Sequence, residues 1–171
     1  MSKRDLKKYL NGLTKDQLED QIIDLYSRFK DVKTYYDFAF NPKEEKLMEA
    51  AKFKISKEYF PVTKRKPKLR RSIAQKLIKH FILLGVDVLL LADLMLYSIE
   101  VAQTYTAAKP IRQISFYPSM FKSFEQAFDF INNHGLKMQF IDRMEKIVEE
   151  AEKQNWANCS AFDVVLDKGV R

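Results

Sequence analysis

The sequence predicts an all-α fold of about seven to eight helices, arranged as an irregular multi-helix bundle or a short superhelix of antiparallel pairs. Apolar residues recur at helical spacing along most of the 171 residues, and strand alternation is weak except for a short extended piece at 111–116. Only four Gly and five Pro occur, while thirteen Phe and eight Tyr supply core material. This length and a 46% hydrophobic content predict one helical domain over 1–171.

The N-terminal third shows clear helix starts and apolar stripes. Thr14 with Gln17 three residues later forms a capping-box pattern ahead of an apolar stripe. That stripe has helical spacing and comprises Leu18, Ile22, Leu25 and Phe29. Four aromatic residues follow, and we expect them to pack in the core rather than form an exposed docking surface: Tyr35, Tyr36, Phe38 and Phe40.

The middle of the chain contains the predicted centre of the core. A basic connector at 61–71 leads into a helix that Gly85 ends. Asp87 is expected to cap the next helix, 88–102, which is apolar on nearly every side and is therefore predicted to be buried. The most apolar stretch, 81–97, is interrupted by Gly and Asp and is shorter than the roughly 20 apolar residues of a membrane span. We therefore predict a buried helical hairpin and no membrane span.

The C-terminal part is predicted to hold two further helices. A connector at 106–117 contains Pro110, and His134 with Gly135 ends the helix that follows it. The next helix has an apolar stripe from Phe140 to Ala151. The tail, 157–171, is expected either to fray or to form one short helix.

Charge is concentrated in one segment of the chain. The formal net charge is +7, and positions 61–80 contain no acidic residue, so this segment supplies the whole basic excess. Its eight basic residues are Lys64, Arg65, Lys66, Lys68, Arg70, Arg71, Lys76 and Lys79. Concentrated Lys and Arg attract phosphates and other anions. Tyr59 and Phe60 stand directly before the segment, where their rings could stack on bases.

Four interpretations of this segment stay open. The leading hypothesis is a non-enzymatic module that contacts nucleic acid, RNA more readily than sequence-specific DNA. The basic residues could instead meet an acidic protein or an anionic surface, form a solvated face, or pair with the acidic helix at 145–152. The alternative function is a helical protein-interaction scaffold whose groove takes an acidic or amphipathic partner.

Catalytic and metal-binding patterns are weak in this sequence. His80, His134 and the single Cys159 are far apart, whereas metal sites need three or four ligands at close spacing, so we expect neither a metal nor a cofactor. Neither common glycine-rich phosphate motif occurs, and an enzyme is not expected. Asp93 and Glu100 lie in the apolar helix, where a structural pairing with a Lys or Arg from a neighbouring helix is favoured over catalysis.

The amino-acid sequence of the N-terminal two thirds resembles that of a known family. The resemblance is carried by MSKRDLKKYLNGLTKDQLEDQIIDLYSRFKDVKTYYDFAFNPKEEKL, AKFKISKEYFP and AQKLIKHFILLGVD, within residues 1–105. These segments resemble an uncharacterised bacterial family of small helical proteins, domain of unknown function 6155. The resemblance implies a bacterial, cytoplasmic protein and brings no activity, ligand or catalytic residue with it.

Overall fold

The computed structural model describes residues 1–168, and these residues form helices and connectors without a β-strand. Within this range there are nine helices: α1 (Lys3–Leu10), α2 (Lys15–Arg28), α3 (Lys30–Phe40), α4 (Glu44–Tyr59), α5 (Arg71–Leu84), α6 (Val88–Ala108), α7 (Phe116–Asn133), α8 (Lys137–Lys153) and α9 (Cys159–Lys168). The all-α prediction is confirmed, with more helices than the seven to eight expected. The antiparallel pairing of the helices stays a prediction.

The chain forms two compact units, an N-terminal unit of residues 1–43 and a C-terminal unit that begins at Glu44. The N-terminal unit contains α1 to α3, and the C-terminal unit contains α4 to α9. The single domain expected from the sequence stays a prediction.

The N-terminal unit is held by helix caps and by contacts between α2 and α3. The predicted capping box is confirmed, since the Gln17 backbone N–H donates to Thr14 Oγ1 at 3.3 Å and the Thr14 N–H donates to Gln17 Oε1 at 3.0 Å. The Tyr26 hydroxyl donates to Asp37 Oδ1 at 2.7 Å and ties α2 to α3. No residue of this unit is buried, so three short helices do not enclose a core.

The aromatic residues of α3 do not lie in a core, which makes that prediction wrong. Phe40 is 84% exposed and Tyr35 is also exposed, while Tyr36 and Phe38 are half-buried. The rings of Tyr36 and Phe40 stack on each other with centroids 6.1 Å apart. Only Tyr36 and Phe40, four residues apart, share a face of α3, and no helix of the N-terminal unit covers Phe40.

The C-terminal unit is built around α6, which packs against α4, α5, α7 and α8. Its start is the one predicted, because the Asp87 carboxylate accepts from the Leu89 N–H at 2.8 Å. Gly85 ends α5 in the left-handed conformation with φ of 77°, which favours glycine. The helix continues six residues beyond the predicted end, to Ala108, so the connector predicted at 106–117 is shorter and comprises 109–115. The central core helix expected from the sequence is therefore confirmed.

Length and composition alone would allow α6 to cross a membrane, and it is the one helix of the described chain for which this holds. Within the unit, however, 56% of its apolar window is buried against other helices. The residues Leu94, Leu96 and Ile99 have no exposed surface at all. This is the burial expected of a core helix that is apolar on most of its sides.

The last helix, α9, packs on α7 and α8. The tail was expected either to fray or to form one short helix, and residues 159–168 form a short helix. Residues 169–171 of the predicted tail lie outside the described part of the chain. The extended piece expected at 111–116 is wrong, because 111–113 are an irregular connector and α7 already begins at Phe116. In this connector the Ile111 carbonyl accepts a hydrogen bond from the Tyr117 hydroxyl.

Candidate nucleic-acid interface

The basic connector between α4 and α5 is an ordered loop, held at its base by the end of α4. The backbone N–H groups of Lys68 and Leu69 both donate to the Glu58 carbonyl at 3.0 Å. Carbonyls in the last turn of a helix lack intrahelical partners, so these bonds satisfy an otherwise unpaired group. Leu69 adopts a left-handed φ of 55°, which turns the chain back toward α5. These bonds therefore hold the C-terminal end of the loop against the end of α4.

A second anchor joins side chains at the same place. Arg70 donates from Nε and Nη2 to the two carboxylate oxygens of Glu58, each at 2.7 Å. This two-point geometry is the strong form of the arginine–carboxylate contact. The hydrogen bonds from Arg70 lower the pKa of Glu58, so this carboxylate is ionised at neutral pH. Arg70 is thus committed to holding the loop and is not free for a ligand.

Arg71, the first residue of α5, also has a structural role. Its Nε donates to Ser123 Oγ at 2.6 Å and its Nη2 donates to Gln126 Oε1 at 3.0 Å, both on α7. The side chain is partly buried, and this burial lowers the pKa of Arg71. Arg71 therefore fastens the start of α5 to α7, and the site loses a second predicted cation.

The other six predicted basic residues are exposed to solvent: Lys64, Arg65, Lys66, Lys68, Lys76 and Lys79. None of them takes part in an ion pair with any residue of the described chain. We call these six residues the basic surface. In the acidic helix α8, Glu150 contacts Lys153 and Gln154 instead. The proposed pairing of the basic segment with 145–152 is therefore not observed.

The two aromatic residues before the loop have different environments. Tyr59 is only 3% exposed, and its hydroxyl lies 4.0 Å from the Met120 sulfur on α7. Burial raises the pKa of Tyr59 to about 12. Its ring is thus part of the core, and the prediction that it stacks on a base needs correction. Phe60 is 44% exposed, with one edge of its ring against Tyr105, so it keeps an open face beside the loop.

The loop anchor can be tested by proteolysis, because trypsin cleaves after Lys and Arg. We expect Glu58→Gln to speed tryptic cleavage within 64–70 by about threefold, since a neutral amide cannot accept both Arg70 hydrogen bonds and the loop opens more often. Cleavage sites and rates are read by mass spectrometry. Glu49→Gln, which removes an exposed acid of the same helix, is the control and should leave the rate unchanged. Equal rates in both variants and wild type would show that the anchor does not hold the loop.

A second charged cluster lies across α4, α6 and α8. Asp93 Oδ2 accepts from Lys52 Nζ at 2.5 Å and Asp93 Oδ1 accepts from Arg143 Nη1 at 2.5 Å. Arg143 Nη2 also donates to Glu100 Oε2 at 2.8 Å. Burial opposes ionisation of Asp93, but the hydrogen bonds from Lys52 and Arg143 outweigh it and lower the pKa of Asp93. The pairing expected for both carboxylates is confirmed.

Beside this cluster, a cleft of ≈ 240 Å³ opens between α6 and α8. Its charged lining residues are Glu100, Arg143, Lys146 and Glu150. Hydrogen bonds to Glu100 and Asp93 raise the pKa of Arg143, which therefore stays a cation bound to carboxylates. A general acid or base works best with a pKa near the working pH, which Asp93 and Arg143 both lack. The described residues also contain no group of His, Cys, Asp and Glu that could hold a metal.

The fold and this site define a class, an all-helical protein with an anchored basic loop between two helices of its C-terminal unit. The chain belongs to the Family of unknown function (DUF6155), whose model matches residues 1–169. The family resemblance seen in the N-terminal two thirds is thereby confirmed and extends through α9. Neither the curated proteins nor the solved structures include a match. Cytoplasmic location and bacterial origin stay predictions.

Proposed function

We propose that this protein is a non-enzymatic nucleic-acid-binding module whose basic surface contacts the phosphates of single-stranded RNA. The observation that carries the proposal is that six exposed cations without ion-pair partners are grouped on one anchored loop and the helix after it. Exposed cations that are free of internal partners can release counterions from a phosphate backbone on binding. The anchors at Glu58 hold the loop in place, so less conformational entropy is lost when a ligand binds.

The composition of the basic surface favours phosphate contacts over the reading of base sequence. Five of its six members are Lys and one is Arg. Lysine acts as a point charge toward phosphate, whereas base reading in a duplex groove relies on two-point contacts from Arg, Asn or Gln. The open face of Phe60 can stack on an unpaired base, which a duplex does not offer. These features support single-stranded RNA over a specific DNA site.

The test is fluorescence anisotropy of a labelled single-stranded RNA across a salt series. With six phosphate contacts we expect a log–log slope of about −4. Replacing all six residues of the basic surface by Ser should weaken binding by about a hundredfold near physiological salt, because these phosphate contacts are lost. A DNA duplex of the same length is the competitor, and it should displace the RNA poorly.

A matched control separates a local site from the effect of net charge. Six other exposed cations of the C-terminal unit, again five Lys and one Arg, are changed to Ser: Lys46, Lys54, Lys109, Arg112, Lys122 and Lys146. This variant has the same net charge as the first and should keep most of the RNA affinity. Equal weakening in both variants, or no binding by the wild type, would overturn the proposal. Circular dichroism confirms that each variant is folded.

A protein-interaction scaffold is the second candidate function, and one observation supports it. The N-terminal unit exposes large apolar side chains on each of its three helices: Leu6, Tyr9, Ile22, Ile23, Leu25, Tyr35 and Phe40. Large exposed apolar patches mark interaction sites in other proteins, and these side chains are the material from which such a patch is built. The acidic or amphipathic partner expected from the sequence is one form of this candidate.

A further inference from the structure

The N-terminal unit lacks a buried core, although it has a well-formed apolar helix face. Ile22 and Leu25 lie on one face of α2 and Phe29 is the C-cap of this helix, and all three are exposed. At the end of α3, Phe40 is 84% exposed. None of the 43 residues of the unit is buried. A face of this kind normally packs against another element, but the contacts of α2 with α3 and the hydrogen bond from Gln21 to Tyr9 of α1 leave these side chains exposed.

The N-terminal unit, with 43 residues, lies just above the size at which folded units need additional support. Below about 40 residues, folded units usually need disulfides, a metal or association with another chain. The single cysteine of the chain is Cys159, so no disulfide can form within residues 1–43. These residues contain neither His nor Cys, which are the usual ligands of a structural metal. Association through the exposed apolar face is the support that remains.

The charges of the unit indicate which partner fits. Helix α1 carries four cations and one acid, and no member of these takes part in an ion pair within the described chain. Helix α2 carries four acids and two cations, and its Asp20 and Asp24 line a cleft of ≈ 400 Å³. Asp24 is paired with Arg28 on the same helix at 2.8 Å, but α2 has two more acids than cations, which disfavours a nucleic acid or an acidic peptide at this cleft. A second copy offers the basic α1 to the acidic α2, and a two-fold axis creates this contact twice.

We propose that the N-terminal unit is a self-association surface, covered by the same unit of a second copy. The apolar faces of α2 and α3 pack against each other across the two-fold axis, and α1 of each copy lies against α2 of the other. Two helical hairpins that pair in this way can form a four-helix arrangement, which is a stable way to bury such faces. This proposal does not rest on nucleic-acid binding, because none of its residues belongs to the basic surface.

The experiment is analytical ultracentrifugation of the full chain over a range of micromolar concentrations. We expect the wild type to sediment as a dimer that dissociates on dilution. Phe40→Glu and Ile22→Glu place a charge in the apolar face, so each should weaken the dimer by about a hundredfold. The matched control is Leu83→Glu on α5 of the C-terminal unit, a residue that is 79% exposed, and it should remain dimeric.

A charge exchange tests the pairing of α1 with α2. We expect Asp20→Lys alone and Lys7→Glu alone to weaken the dimer, and the two changes in one chain to restore it in part. Three outcomes overturn the proposal. The first is a wild-type dimer that neither Phe40→Glu nor Ile22→Glu weakens. The other two are a wild-type monomer, either with an N-terminal unit protected from hydrogen exchange by its own chain or with an unprotected unit whose partner is a different molecule. If the Phe40→Glu variant is monomeric and still binds RNA, then RNA binding does not depend on self-association. The failure of one proposal can then be distinguished from the failure of the other.

Discussion

Replacing Phe162 by Ala is expected to destabilise the C-terminal unit by about 4 kcal/mol, because large buried aromatic residues cost this much to truncate. Phe162 is fully buried, and its ring lies 5.0 Å from that of Phe124 and 5.3 Å from that of Phe121, both on α7. The ring of Trp156 lies 5.9 Å away. One side chain thus fastens α9 to α7, and its removal leaves a cavity that a ten-residue helix cannot fill.

The single tryptophan gives this change a local readout. Trp156 is buried against Phe162, so its emission should shift to longer wavelength when α9 detaches. Denaturant unfolding gives the free energy, and hydrogen exchange shows whether α9 opens before the rest. Phe53→Ala removes an exposed ring from α4 and is the control, with an effect of less than about 0.5 kcal/mol. A Phe162 variant as stable as this control would mean that α9 contributes little to the unit.

The core was the most predictable part of this fold, because its signals are local in the sequence. The apolar helix from Val88, its Asp87 cap and the glycine that ends α5 are all visible as short patterns, and all three are observed. Tyr59 stands four residues after Ile55, at the spacing of one helix face, yet it was assigned to a stacking surface. Its position on the buried side of α4 settles the conflict in favour of the core.

Exposure in the N-terminal unit could not be predicted from the sequence. Periodicity shows that residues share a helix face, but not whether another element covers it. Phe40 shares a face of α3 with Tyr36, four residues before it, yet Phe40 is 84% exposed. Whether a third helix reaches such a face depends on helix lengths and turns, and these are not encoded in local spacing.

The candidate site was predictable as a segment but not as individual roles. Arg70 and Arg71 look like their six neighbours in sequence, yet both are used for packing. One indication was available. Glu58 is the last acidic residue before the basic segment, where its carboxylate can form an ion pair with a nearby cation. Arg143 was missed altogether, although it stands three residues after the buried Phe140 and four before the buried Ile147, at the edge of the apolar stripe. A cation at that edge is well placed to form an ion pair with a carboxylate on a neighbouring helix of the fold.

Arg143→Met is the second change with a large expected effect, a loss of about 2 kcal/mol from the free energy of unfolding. Truncating one partner of a fully buried ion pair costs about 3–5 kcal/mol, and the partial exposure of this cluster reduces that figure. Without the guanidinium, Glu100 loses its partner and Asp93 keeps only Lys52. Arg143→Lys should recover only part of the loss, since one ammonium cannot reproduce the fork that contacts both carboxylates.

Two further measurements show that charge, and not lost packing, causes this effect. In the double variant Glu100→Gln, Arg143→Met the remaining Asp93 keeps its ion pair with Lys52 and no charge of the cluster lacks a partner, so stability should return toward that of the wild type. The second measurement is acid titration. Because the pKa of Asp93 is lowered in the folded chain, its contribution is complete above the ordinary value of 3.8 and is lost as the pH falls through the lower folded pKa. The difference between wild type and Arg143→Met should therefore shrink in acid, and a difference that is constant with pH would assign Arg143 to packing alone.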